Sequence, residues 1–129
     1  MNSNRTLGLA VLLGVVIGFA GSAAIHARQI APPPGYLFAE VEVTDPATFQ
    51  KYAQQVAATV TPFGGHYLVR GGKITSLEGE PPKAFTVIAF DSAQKVKDWY
   101  ESPAYVAIKP LRTSSTKSRL FIEEGVPGN

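Results

Sequence analysis

The sequence predicts an α+β fold: one antiparallel sheet with helices packed on a single face, in the order strand, helix, strand, strand, helix, strand. Three features carry that expectation. Tyr36 to Val43 alternates between two faces, as a half-buried strand must. Asp45-Pro46 opens a strongly amphipathic helical stretch. Ala84 to Phe90 is a continuous apolar run followed by a second capped helix at Ser92, so a strand-helix pair recurs further along the chain.

Taken in order, the elements follow from local chemistry. In the first strand Leu37, Ala39, Val41 and Val43 share one face, and Tyr36, Phe38, Glu40 and Glu42 share the other. Asp45 can accept the free N–H groups of the first helical turn, and Pro46 sits where its missing N–H costs nothing. Phe49, Tyr52, Ala53, Val56, Ala57 and Val60 then fall on one helical stripe, which must be buried, and Pro62 with Gly64-Gly65 ends the helix. His66 to Arg70 reads as a short strand. Gly71-Gly72 allows a turn or bulge, and Lys73 to Leu77 is expected to pair as a continuation before a loop over Glu78 to Pro82. The run Ala84 to Phe90 suits a strand covered on both faces. Ser92 caps a helix carrying Ala93, Val96, Trp99 and Tyr100; Ser102-Pro103 restarts the chain as a second helical piece, which Pro110 is expected to kink. Arg119 to Glu123 is the last strand, closed by Gly125. This order is that of the split βαβ unit of a ferredoxin-like sandwich.

Composition bounds what such a domain can do. The 129 residues leave room for one domain once a targeting segment is set aside, and 12 Lys plus Arg against 10 Asp plus Glu give a net charge of +2. That is too small to steer the protein to nucleic acid. There is no cysteine, which removes disulfides, thiolate nucleophiles and cysteine metal sites, and the 2 histidines are too few for a histidine-built zinc site. Residues 1–27 have the make-up of an export signal: Arg5 and the amino terminus are basic, Leu7 to Ala20 is apolar, and Gly21-Ser22-Ala23-Ala24 offers small residues for cleavage after Ala24 or Ala27. The alternative is an uncleaved membrane anchor over residues 6–25, a stretch without charge and just long enough to span a bilayer. Residues 28–34, with Pro32-Pro33-Pro34, form a stiff spacer, residues 35–126 the globular domain, and residues 127–129 a tail.

Several short motifs recur in a recognisable order: Gly64-Gly65-His66-Tyr67-Leu68-Val69-Arg70-Gly71-Gly72, Leu77-Glu78-Gly79, Phe90-Asp91-Ser92, Trp99-Tyr100-Glu101-Ser102-Pro103-Ala104-Tyr105 and Glu124-Gly125-Val126. Over Gly35 to Val126 the chain resembles the domain-of-unknown-function family 1330. The resemblance implies a ferredoxin-like domain of the dimeric α/β-barrel superfamily, in which two sheets from two chains close around shared cavities. Superfamily relatives include cofactor-free monooxygenases, muconolactone isomerases and haem-binding proteins, and the family itself implies no reaction.

The residues lead to the same dimer without the resemblance. Helices that cover one sheet face leave the other to be covered by a partner, and Phe38, Phe121 and one of Phe85 or Phe90 cannot all point at the helices. If Tyr36, Phe38 and Glu40, then His66, Leu68 and Arg70, then Arg119, Phe121 and Glu123 converge on that second face, they line a pocket of aromatic walls and charged groups. Glu40 is then the candidate general base with His66 as second choice, Arg70 and Arg119 are candidates to grip a carboxylate, and Phe38 and Phe121 are candidate walls. Glu40 is expected to pair with Arg70 or Arg119, and a structural ion pair that fixes register is the plainer role for such a pair.

The expected function is binding of a small apolar or aromatic carboxylic molecule by an exported, periplasmic or secreted homodimer. Two other classes stay open: a cofactor-free enzyme that abstracts a proton from such a molecule, and a purely structural dimerisation module. None of the three calls for a cofactor or metal; haem would have only His66 as an imidazole ligand. Cell fractionation tests the address. Protein recovered outside the cytosol, with an amino terminus at Ile25 or Arg28, is the expected outcome. Full-length cytosolic protein with residues 1–25 intact would contradict export.

Overall fold

The structure, a computed structural model, describes residues 30–128. The export-signal reading, residues 1–27, lies outside the described residues. The elements are β1 (Gly35–Val43), α1 (Pro46–Val60), a 3-10 turn (Thr61–Phe63), β2 (His66–Arg70), β3 (Ala84–Phe90), α2 (Ala93–Tyr100), α3 (Pro103–Thr113) and β4 (Thr116–Glu124). The strands form one sheet in the order β2-β3-β1-β4 with every neighbouring pair antiparallel. This is the ferredoxin-like α+β sandwich that the sequence predicts.

Local signals place the helices. The Asp45 carboxylate accepts the Thr48 N–H and the Thr48 hydroxyl, the latter at 2.6 Å, with Pro46 in the first turn. Ser92 and Ser102 cap α2 and α3 in the same way, accepting from the N–H groups of Lys95 and Tyr105. Helix α3 continues through Pro110 to Thr113. Proline removes the bond to the carbonyl of Val106, but Val106 is exposed, so water can take that carbonyl.

The helices cover one sheet face. Leu37, Ile88 and Phe90 from the sheet meet Tyr52, Val56, Val60, Val96, Trp99, Tyr105 and Ile108 from the helices. Trp99 and Tyr105, both essentially sealed from solvent, pack with ring centroids 4.2 Å apart, and the Trp99 indole N–H donates to the Thr59 hydroxyl at 3.0 Å. At Gly65 a Cβ would lie 2.5 Å from Val60 Cγ1 and 2.7 Å from the Phe90 ring, so β2 can enter beneath α1 only without a side chain there.

Two boundaries differ from the sequence expectation. Lys73 to Leu77 forms no strand; residues 71–83 are a loop, and Leu77 is 95% exposed. Strand β2 is an edge strand whose partner is β3, and extending the pair would require β3 to begin within Pro81-Pro82, which cannot donate to a ladder. Strand β4 begins at Thr116 rather than Arg119, because Thr116, Lys117 and Ser118 pair with Val43, Glu42 and Val41. Its polar outer end does not advertise a strand. No helix among the described residues is long and apolar enough to cross a membrane.

Candidate functional site

Strand register decides which candidate residues meet. Glu40 stands opposite Arg119, Phe38 opposite Phe121 and Val87, and Glu40 also opposite Phe85, all on the face away from the helices. The Phe38 ring stacks on Phe121 at 5.4 Å and lies 6.0 Å from Phe85. One Glu40 carboxylate oxygen accepts from Arg119 through both Nε at 3.1 Å and a terminal nitrogen at 2.8 Å. The Arg119 side chain is 72% exposed, so in a single chain this pair contributes about 0–1 kcal/mol. His66 lies opposite Ala89 on the same face and is exposed at the strand's start.

Arg70 departs from this group. Tyr67 stands opposite Ile88, but Val69 stands opposite Val87 and Arg70 opposite Thr86, so Leu68 is an extra residue in a β-bulge. One inserted residue reverses side-chain parity. Arg70 therefore points to the helix side with Tyr67, its guanidinium 4.5 Å from the Tyr67 ring centroid and donating to the Ala53 carbonyl of α1 at 3.2 Å. The sequence expectation that His66, Leu68 and Arg70 share one face is corrected accordingly: Arg70 meets neither Glu40 nor His66.

On that helix side the structure holds a cavity of about 210 Å³ between sheet and helices. Leu37, Phe49, Val56, Ile88, Trp99 and Leu120 supply apolar wall, and the polar lining comes from Tyr52, Tyr67, Thr86, Arg70 and Arg112. Exposed Arg70, Gly71 and Ala84 mark its mouth, where β2 ends and β3 begins. A broader hollow of about 400 Å³ lies at one end of the opposite face, among Glu40, Glu42, Lys83, Lys117 and Arg119. It is larger, but its walls are charged and solvated, so it offers little apolar surface to a ligand.

Arg112, at the last turn of α3, is only 6% exposed. Its Nε–H donates to the Tyr105 hydroxyl at 3.1 Å, one terminal nitrogen donates to the Ser118 hydroxyl at 2.6 Å, and the Tyr105 and Tyr52 hydroxyls lie 3.4 Å apart. No carboxylate among the described residues pairs with it. Burial pushes the Tyr52 phenol far above the ordinary tyrosine range, with the neighbouring Tyr105 adding to the effect, so Tyr52 stays protonated and can act as a donor. Burial raises Tyr67 as well, against the opposing pull of Arg70.

Sequence reasoning did not single out Arg112, Tyr52 or Tyr105 for this site. A signal existed: Tyr105, Ile108 and Arg112 are spaced i, i+3, i+7, which puts an arginine on the buried stripe of its helix. At a helix's last turn, however, arginine is also the ordinary solvated complement of the helix dipole.

Residues 34–126 match the family described as Domain of unknown function (DUF1330), and the chain belongs to it. Among solved structures it is similar to a protein of unknown function from Rhodopseudomonas palustris, at 16% identity and TM-score 0.62 over 73% of this chain and 83% of that one. It is also similar to a cofactor-independent oxygenase from Streptomyces nogalater, at 9% identity and TM-score 0.54 over 73% and 94%. A dimeric ferredoxin-like protein of unknown function from Bacteroides fragilis matches at 12% identity and TM-score 0.50 over 71% and 96%. No curated protein matches the chain significantly. At these identities the similarity establishes the fold.

The buried phenols make stability fall at alkaline pH. Unfolded tyrosines lose their protons near pH 10, whereas the folded chain keeps those of Tyr52 and Tyr67, so stabilisation is complete below about pH 10 and declines above it. In urea unfolding at pH 9, 10 and 11, Tyr52→Phe should flatten the decline by about 1.4 kcal/mol per pH unit above pH 10. Parallel declines in the two proteins would contradict this assignment.

Proposed function

We propose that the protein is an exported homodimer that binds a small molecule in the cavity between its sheet and its helices. The cavity carries this reading: about 210 Å³ stays open between the sheet and the helices. Unfilled volume in a core lowers stability, so an opening with an apolar wall, a few convergent polar groups and a mouth is better explained by an occupant than by packing alone. Binding is favoured over proton abstraction because no Asp, Glu or His lines the cavity among the described residues and Tyr52 is held protonated.

The open sheet face supports the dimer. Phe38, Phe85 and Phe121 form a connected aromatic surface, Phe121 is 42% exposed and Val69 41%, and no helix among the described residues covers them. A second copy placed face to face would bury these rings and the Glu40–Arg119 pair together. What supports export is the amino-terminal sequence, with its basic start, apolar run and small residues.

Native mass spectrometry of protein purified from its own exported fraction tests both parts. The unmodified protein should appear as a dimer carrying a small-molecule adduct. Ala53→Trp, which fills the cavity from α1, should leave the dimer and remove the adduct. Phe121→Glu, which buries an unpaired charge in the interface, should give single chains. A single-chain mass for the unmodified protein at micromolar concentration would refute the dimer. An adduct retained by Ala53→Trp would refute the cavity as its site.

A further inference from the structure

The cavity has a chemical polarity that narrows its occupant. Its polar lining offers cations and donors: the guanidiniums of Arg112 and Arg70 and the hydroxyls of Tyr52 and Tyr67, with no acidic side chain among the described residues. Arg112 is the decisive group. A guanidinium carries five N–H donors in a fixed fork. The structure accounts for the Nε–H, on Tyr105, and for one terminal nitrogen, on Ser118. The other terminal nitrogen has no partner among the described residues, yet no side-chain nitrogen or oxygen among them is both sealed from solvent and unpaired. That free edge therefore opens onto space, and Arg112 lines the cavity.

The tyrosine pair points the same way. The Tyr52 and Tyr105 hydroxyls lie 3.4 Å apart, Tyr105 accepts from Arg112, and Tyr52 lines the cavity together with Arg112. A buried cation without a counter-ion is unfavourable, and what repairs it is an anion that accepts from the fork.

We propose that the cavity is a carboxylate-binding site, in which the free edge of Arg112 grips the carboxylate of a small one-ring or similarly compact acid while Leu37, Val56, Ile88 and Leu120 enclose its apolar body. This rests on the cavity being the ligand site. A single buried guanidinium matches one unit of negative charge in a planar, two-oxygen head. The size fits as well, since about 210 Å³ is smaller than the ~300–1,000 Å³ of sites for drug-sized ligands. Arg70 stands at the mouth with its guanidinium over Tyr67, where it adds positive potential along the way in. Charge and shape together select an acid with a non-polar remainder over a neutral molecule of the same outline.

Benzoate and benzyl alcohol, nearly equal in size and different in charge, are the probes. Titration calorimetry at pH 7 on the unmodified dimer should show benzoate binding at least about tenfold more tightly, as expected for a charge-assisted, two-point hydrogen bond. Arg112→Gln should bring the two probes to similar affinity, and Arg112→Lys should restore part of the preference. Should Arg112→Gln not fold, the unmodified protein still decides through pH: affinity for benzoate should hold steady from pH 6 to 9 and fall only as the probe itself becomes protonated. Equal affinities in the unmodified protein would overturn the carboxylate assignment while leaving the cavity as a site for apolar molecules. A preference unchanged in Arg112→Gln would overturn the role of Arg112. Failure of both probes to bind would overturn the assignment of ligand class, and only if the purified protein also lacks an adduct does the cavity reading fail with it.

Discussion

A four-stranded sheet has two faces, and the helices among the described residues cover one. Everything else in the molecule is arranged around that asymmetry. Strand alternation sends Leu37, Ile88 and Phe90 to the helices and Phe38, Val87 and Phe121 to the opposite side, so each strand contributes to two different surfaces. The covered face becomes a core with a cavity in it. The uncovered face becomes an aromatic surface with an ion pair at one end. Placing a ligand on the first and a second chain on the second assigns each face one role, with Phe85 bordering both.

The bulge in β2 matters because it moves one charge between those faces. Without the extra residue at Leu68, Arg70 would stand on the open side near His66; with it, Arg70 reaches the α1 carbonyl of Ala53 and the mouth of the cavity. Arg112 comes to the same cavity from α3. It is held by Tyr105, seven residues back on its own helix, and by Ser118 at the start of β4, so a helix and a strand that are consecutive in the chain fix one guanidinium. Two cations thus reach one apolar cavity from separate elements, while the described acidic residues lie elsewhere.

Much of the fold was legible because single residues carry unambiguous local physics. Asp45-Pro46 and Ser102-Pro103 start helices for stereochemical reasons that tertiary packing does not alter, and the alternation in β1 assigns its two faces without a neighbour. What escaped depends on pairing. Whether Lys73 to Leu77 forms a strand is decided by the prolines at 81 and 82, which stand where a partner would have to be. The parity of Arg70 is decided by a one-residue insertion that no residue type announces, since Leu68 suits a strand as well as its neighbours do. The pairing of Glu40 with Arg119 was within reach, because both lie in regularly alternating strands. The cavity was not, because its polar residues come from α1, β2, β3 and α3 and lie far apart in the chain.

A ligand and a partner on opposite faces of one sheet can be told apart directly by isotope-filtered NMR. With unlabelled benzoate added to the uniformly 13C-labelled protein, nuclear Overhauser contacts are expected from the ring protons to side chains of Leu37, Val56 and Ile88. Contacts to Phe38, Val87 or Phe121 instead would place the ligand on the open face and contradict the cavity as its site.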